Sequence, residues 1–450
     1  MIERVFGSGA FFRLWLAQVV SATGDWLGFL AIAALALRVG VGDSGDVGAA
    51  AGGAVGVVLA ARLVPGFFLA PWAGVLADRL DRTRLMVVCD LGRAAVLVSL
   101  PFVDTLVGLV VASFVLELFT LVWAPAKEAS VPHLVPADKL GAANSLSLVA
   151  AYGTIPIAAG VFAALATVAN WFGTTGWVET LRLNQEGLAF YVDAASFVLT
   201  ALIVWSLHLP RGPALASGDG DTSPGRAFLE LKEGWGTIVR DPVVRGVNLG
   251  LGAGLLGGAM LVPLGPVFAA EALGAVTDAA YGLLVFALGC GVALGVMLLA
   301  VGEERLGSRG AFGGAVVSAG VAMLLAATTS SLRFTIPFIV VLGACAGAVY
   351  VLGLTLLHRH VSDDLRGRVF GSLFTLVRLC VLLAFVVAPL LAAGMSAIGE
   401  PRVSAGPLSV ELLGSRVALW FGGVITVAAG VGAWRSLGAL GRPDDQERVD

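Results

Sequence analysis

Five ionisable side chains stand inside long apolar runs, and they define the chemistry open to this chain. Asp25, Arg62, Glu117, Asp193 and Arg378 all lie where a hydrocarbon setting costs about 2.5–3.5 kcal/mol per charge on insertion scales. Each belongs to a polar stripe at helical spacing. Asp25 aligns with Ser21 and Gly28, Glu117 with Ser113 and Thr120, Asp193 with Ser196 and Thr200, and Arg378 with Thr375. A carboxyl group so placed has two usable states, because burial favours the protonated form and a nearby arginine the ionised one. Asp25 and Glu117, with Arg62 as counter-charge, are therefore candidates to bind and release a proton from a water-accessible face. A fixed ion pair that only ties helices together is the other reading of the same residues. For Asp193 and Arg378, packing and a place on the pathway are equally open.

The elements that must hold these residues follow from composition. The chain has 450 residues, 58% hydrophobic and only 13% charged, against roughly a quarter charged in soluble domains. Its mean hydropathy is +0.92, which places it among integral membrane proteins. A hydrocarbon core about 30 Å thick needs roughly 20 apolar residues per helix. That ruler predicts an all-α membrane protein of about twelve transmembrane helices. The first six are Phe11–Leu37, Ala49–Ala73, Leu85–Val103, Leu106–Ala124, Ala142–Ala169 and Leu188–Leu207. The second six are Val243–Ala270, Ala280–Val301, Ala311–Thr329, Phe334–Leu357, Val369–Ile398 and Leu412–Trp434.

Residues 1–208 thus read as one six-helix bundle and 242–436 as a second, pseudo-symmetric one. Between them, 209–241 is a Gly-, Ser- and Pro-rich linker that ends in Phe228, Leu231, Trp235 and Ile238 at helical spacing. That spacing suits either a short amphipathic surface helix or an extension of the seventh span. Residues 437–450 read as a disordered polar tail. The halves repeat weakly. His133 opens H-L-V-P-A-D-K-L-G-A-A-N-S-L and His360 opens H-V-S-D-D-L-R-G-R-V-F-G-S-L, while Gly74–Arg84 is echoed by Gly302–Arg309. Paired six-span repeats put a substrate site at their interface near mid-membrane.

Charge sets the orientation. Arg4, Arg79, Arg82, Arg84, Lys127, Lys139, Lys232, Arg305, Arg359 and Arg366 fall on one side, and Arg38, Arg182, Arg333, Arg402 and Arg416 on the other. Both termini are therefore expected in the cytoplasm of a plasma-membrane protein. The net charge of −3 argues against a nucleic-acid partner. Cys89, Cys290, Cys345 and Cys380 stand singly in apolar runs without metal or disulfide spacing. No nucleophile elbow, phosphate loop or zinc-protease helix is present, so neither an enzyme nor a cofactor is expected. The G-x-G-x-x-G at Gly252–Gly257 lies inside a span and follows no strand. Close helix packing explains it, as it does Gly52/Gly56, Gly291/Gly295 and Gly343/Gly347. His358 and His360 flank Arg359 and read as solvated loop charge rather than as metal ligands.

The polar break Gly74–Arg84, G-V-L-A-D-R-L-D-R-T-R, resembles the loop between spans two and three of the major facilitator superfamily. Gly74, Asp78, Arg79 and Arg82 match its signature, while Asp81 stands for the usual glycine and Thr83 for a basic residue. The likeness runs from Phe11 to about Trp434 and implies two bundles rocking about a central cavity. Ser21–Gly28, Leu76–Arg82 and Cys89–Ala94 are similar to bacterial efflux members of the siderophore and macrolide type. Trp123–Pro136 and Ala142–Leu148 resemble the transporter-like domain fused to thymidylate kinase in some actinobacterial chains. By this resemblance Asp78 accepts from the head of the eleventh span, near Gly367, and latches the bundles. Gly74, Arg79, Arg82, Asp90 and Arg93 complete the latch, with Arg79 and Arg82 free to pair with Asp90.

These residues imply a proton-coupled exporter of a small amphipathic or hydrophobic solute, working as a monomer in the bilayer. Import by the same fold is the alternative. A second alternative is a non-transporting anchor for a soluble, nucleotide-metabolising kinase, and the mid-membrane acids weigh against it.

Overall fold

The computed structural model describes residues 6–42, 49–69, 80–136, 153–172, 176–207, 239–273, 278–306, 309–361, 363–398, 402–405 and 408–438, with 73, 76, 139, 143, 146–147, 149–151 and 236. Among them are twelve helices long and apolar enough to cross a membrane. The first six are α1 (Gly9–Val41), α2 (Ala49–Phe68), α3 (Arg82–Ser99), α4 (Leu106–Leu134), α5 (Ile155–Phe172) and α6 (Gln185–Trp205). The second six are α7 (Pro242–Glu271), then α8 (Asp278–Leu306), α9 (Arg309–Thr328), α10 (Leu332–His360), α11 (Asp363–Ile398) and α12 (Gly414–Gly438). Two compact units result, Met1–Gly218 with Val276–Phe286, and Asp219–Ala275 with Ala287–Asp450. The amphipathic stretch around Leu231 and Trp235 and the polar tail after Gly438 lie outside the described residues.

Helix starts follow capping chemistry. Ser8 caps α1 by accepting from the Phe11 N–H, Asp81 caps α3 from Arg84, Thr105 caps α4 from Gly108, and Asn184 caps α6 from Gly187. Asp241 accepts from both Val243 and Val244 at the head of α7, where Pro242 takes a first-turn position that needs no N–H donor. α7 does not run as one regular helix. Leu249–Ala253 forms a π turn within the glycine-rich stretch G-L-G-A-G-L-L-G-G, and Pro266 lies inside its last segment.

Three elements depart from the sequence ruler. α4 runs to Leu134, ten residues past the predicted end, and carries Pro125 and Pro132 inside it. A proline costs one hydrogen bond to the preceding turn, and a long helix packed on its neighbours retains the rest. α11 begins at Asp363 rather than near Gly367. A two-stranded antiparallel hairpin, β1 (Arg402–Ala405) and β2 (Leu408–Glu411), precedes α12, with Arg402 opposite Glu411.

Within the first unit, α6 packs on α1 and α3, and α2 packs on α1 and α4. An apolar cluster of Phe11, Leu14, Met86, Cys89, Trp123, Ala126 and Val204 fills one end. In the second unit α12 packs along α9, which also meets α10, and Val247, Leu251, Phe312, Val316 and Leu373 share one cluster. Apolar surface alone does not bring helices together in lipid, where the alternative surroundings are equally apolar. Close approach does that work at the crossing of α8 and α10. A methyl at Gly291 or Gly295 would strike the carbonyls of Val340 or Ala344, and one at Gly343 or Gly347 would strike those of Leu288 or Val292. The outward faces stay apolar. Val107, Trp171, Leu202, Trp205, Leu390 and Ile398 are each more than three-fifths exposed, as lipid contact requires.

Candidate functional site

Five of the first six helices, all but α5, converge on a small polar cavity inside the first unit. Its volume is about 10 Å³, roughly the space of one water molecule. Asp25, Gly28 and Ile32 line it from α1, Arg62 from α2, and Arg93 and Leu97 from α3. Leu116 of α4 and Asp193 and Phe197 of α6 close it. Spacings of three, four and seven put each helix's contributors on one face, which is why apolar helices can share a polar centre.

Asp25 links the two arginines. Its Oδ1 lies 3.9 Å from Arg62 Nη2 and its Oδ2 lies 3.7 Å from Arg93 Nη1. The Asp25 side chain keeps a third of its surface open, whereas that of Arg93 is 2% exposed. Arg93 Nη2 donates to Asp90 Oδ1 in a tight i,i+3 pair on α3, with Asp90 fully enclosed. The Arg93 guanidinium also stands 4.1 Å over the Phe197 ring and 5.3 Å from that of Trp123, and Arg62 lies 5.9 Å from the Phe29 ring. Aromatic faces stabilise a desolvated cation by about 2 kcal/mol or more, so the two rings add to what the two carboxylates contribute at Arg93.

Asp193 occupies a different environment. Its carboxyl is 2% exposed, and its hydrogen-bond partner is Ser196 Oγ, donating to Oδ1 at 3.4 Å. Space for it comes from α1. A methyl at Gly24 would collide with Ser196 Oγ and Asp193 Oδ1, and one at Gly28 with Asp193 Oδ2. The Gly24-x-x-x-Gly28 step, which brackets Asp25, is a docking groove for a carboxyl group.

Glu117 is half-buried on α4, one residue beyond Leu116, and Leu116 rather than Glu117 lines the cavity. Arg378 is exposed on α11 in the second unit, one turn from Thr375, whose hydroxyl donates to the Gly371 carbonyl. The loop residues divide. Gly74, Asp78 and Arg79 lie outside the described residues. Arg82 is buried and donates from Nη1 to the Ala129 carbonyl at 2.8 Å, not to Asp90. Asp90 and Arg93, grouped by sequence with the loop, sit with Asp25 in the membrane-embedded cluster. Their place in the helix accounts for the difference. Asp90 and Arg93 are two turns or more into α3, and the i,i+3 spacing pairs them with each other before any loop residue can reach.

The sequence reading missed a second set on α1. Trp15 Nε1 donates to the Leu146 carbonyl at 2.8 Å, Gln18 Nε2 to Ser147 at 2.9 Å and Trp26 Nε1 to Ala151 at 2.8 Å. Thr200 Oγ1 of α6 donates to the Ala17 carbonyl at 3.2 Å. Three donors at positions 15, 18 and 26 of one apolar helix were the available signal. In the second unit His360, read as solvated, pairs through Nε2 with Asp241 Oδ2 at 2.8 Å and joins the end of α10 to the head of α7. Burial works to raise the Asp241 carboxyl, but the Val244 and Val243 N–H groups and His360 outweigh it and hold it below its usual range. Among the described residues no group of His, Cys, Asp and Glu could hold a metal ion.

Solved structures share this architecture. A bacterial homologue of the human lysosomal transporter Spinster matches with a TM-score of 0.70 at 16% identity, over 95% of this chain and 98% of that one. A D-xylose–proton symporter matches with a TM-score of 0.70 at 14% identity, over 95% and 98%. By sequence, an uncharacterised MFS-type transporter of Mycobacterium tuberculosis is 28% identical over 84% of both chains. One of Bacillus subtilis is 26% identical over 51% of this chain, and the match spans 49%, about half, of that relative's length. The model of the Major Facilitator Superfamily matches residues 14–385. With twelve apolar helices and that match over most of its length, the chain belongs to the Major Facilitator Superfamily.

Proposed function

We propose that this chain is a secondary active transporter that exports a small amphipathic or hydrophobic solute in exchange for protons. The carrying observation is the buried network of Asp25, Arg62, Arg93 and Asp90 beside Asp193 in the first unit. Each such group costs about 2.5–3.5 kcal/mol in the membrane interior, and apolar side chains would pack the same helices without that cost. A proton-coupled cycle gives the cluster a use. The cavity beside it is far smaller than the roughly 300–1,000 Å³ of a small-molecule site, which supports a coupling role there rather than solute binding.

In this reading the two six-span halves rock about a solute site, and Glu117 and Arg378 contribute to the pathway. The Gly74–Arg84 turn, through Gly74, Asp78, Arg79 and Arg82, acts as the conformational latch. Both termini face the cytoplasm of the plasma membrane, and the excess of Lys and Arg in the loops of that side supports the orientation. The test is reconstitution into liposomes with an imposed pH gradient, a trapped pH dye and a fluorescent lipophilic solute. The gradient should drive solute movement in wild type, and Asp25→Asn should abolish the coupled proton flux. Equal flux in the variant and wild type would refute the coupling role of the cluster.

A further inference from the structure

The charges around the cavity do not balance, and the imbalance falls on one residue. Counted by their ion pairs, Asp25 and Asp90 offset Arg62 and Arg93, two carboxyl groups against two guanidinium groups. These four form a continuous chain of ion pairs, from Arg62 through Asp25 and Arg93 to Asp90. Asp193, which lines the cavity with Asp25, is the third carboxyl of the cluster and belongs to none of those pairs. It is also enclosed on every side. α1 presents Asp25 and the two glycines, α2 presents Arg62, and α3 presents Arg93 and Leu97. Its own helix presents Ser196 and Phe197. α5, which also packs on α6, has no ionisable residue between Ile155 and Phe172. Both arginines near Asp193 are thus already matched by other carboxylates.

An ionised carboxylate that is buried, held by one long hydroxyl contact and left without a counter-charge is far too costly to persist; such a group neutralises instead. A protonated carboxyl fits the same place well, since it needs no cation and the cavity has room for one water to accept from its O–H. We infer that Asp193 holds the proton of this cluster in the conformation described, and that it, rather than Asp25, is the group that takes up and releases the proton during transport. Asp25 then acts as a positioning residue that keeps both arginines occupied. The proton passes between Asp193 and a water in the cavity beside Gly28, with Asp25 at its more open side. Release becomes favourable when the helices part and one arginine leaves its own carboxylate to face Asp193. This assignment rests on the proton-coupled reading above but can be examined without a solute.

The full chain in nanodiscs, studied by infrared difference spectroscopy at neutral pH, reports protonated carboxyl groups through their C=O stretch, which deuterium shifts. Wild type should show a buried protonated carboxyl. Asp193→Asn should lose it, Asp25→Asn should weaken it because an arginine is freed to face Asp193, and Asp25→Asn/Arg62→Gln, which restores the balance, should bring it back. Arg62→Gln, which removes one positive charge, should gain a second such signal and about double the intensity, because a proton replaces the lost cation. Asn is the isostere of the neutral acid, so Asp193→Asn should also fold with at least wild-type thermal stability, which separates a lost proton from a lost fold. A signal that survives in Asp193→Asn, or that stays absent in Asp25→Asn/Arg62→Gln, overturns the assignment. So does a wild-type signal that appears only when sodium is replaced by choline, since the cavity would then hold a cation. If the signals behave as expected but no pH gradient drives transport, the functional reading fails while the protonation of Asp193 stands.

Discussion

Replacing Arg93 by methionine should expose how the cluster is balanced. The side chain is 2% exposed and its carboxylate partner on the same helix, Asp90, is fully enclosed. Removing one member of such a pair destabilises by about 3–5 kcal/mol, because the other charge stays buried without a partner. The penalty has a ceiling that depends on pH. Asp90 can accept a proton instead, and protonating an ordinary carboxyl about three pH units above its reference value near 3.9 costs about 4 kcal/mol at pH 7. At pH 5 the same step costs about 1.5 kcal/mol. The deficit of Arg93→Met relative to wild type should therefore be smaller at pH 5 than at pH 7. Asp90→Asn/Arg93→Met should recover most of the loss at both values, since it removes the stranded charge. By contrast Asp25→Asn should cost less than Arg93→Met, because its contacts of 3.7 and 3.9 Å are long and a third of its side chain is open. Thermal unfolding in detergent, followed by intrinsic fluorescence at the two pH values, gives all four numbers. A pH-independent deficit in Arg93→Met, or a double variant no better than the single one, would refute the balance described.

Two further outcomes follow from single contacts. Gly28→Ala should lower the melting temperature and the folded yield, by about 1–3 kcal/mol for overpacking, because its methyl meets Asp193 Oδ2. Gly53→Ala on α2 meets nothing within 4 Å and should be neutral or slightly stabilising in the same melt. For Asp241 the sign is set by a folded-state carboxyl held below its usual range. Its stabilisation is present above the ordinary carboxylate pKa of about 4 and is lost as pH falls through the lower folded value. Asp241→Ala should thus melt below wild type near neutral pH, and the gap should close on acidification. A constant gap would mean that the ionised carboxylate contributes nothing to stability.

Much of the architecture was legible in the sequence because a bilayer leaves few choices. Twenty apolar residues in a row must form a spanning helix, whereas the caps Asp81, Thr105 and Asn184, which set where helices begin, were not read from the sequence. Asp25, Arg62 and Asp193 stood out because a charge in hydrocarbon is costly wherever its partner lies, and the structure brings those three to one cavity. Their partnerships were less legible. Arg93 and Asp90 lie near the start of α3 in sequence, and only packing against Phe197 and Trp123 reveals that they belong with Asp25. The hidden device was Gly24 and Gly28, since a glycine's contribution is the neighbour it admits and nothing in one chain's sequence names that neighbour. The link of His360 to Asp241 spans 119 residues and was invisible for the same reason.

The fastening of α1 has a consequence for how the chain is made. Trp15, Gln18 and Trp26 find their carbonyl acceptors 131, 129 and 125 residues later. When α1 first enters the membrane, its three side-chain donors and Asp25 have none of the partners they end with. α2 brings Arg62, and with it the first cancellation of the buried charge. α3 brings Arg93 together with its own Asp90, so that pair adds no net charge to the cluster. Synthesis thus delivers the arginines first and the carbonyls of residues 146–151 next. Asp193 comes last, after every arginine that could have matched it is already engaged.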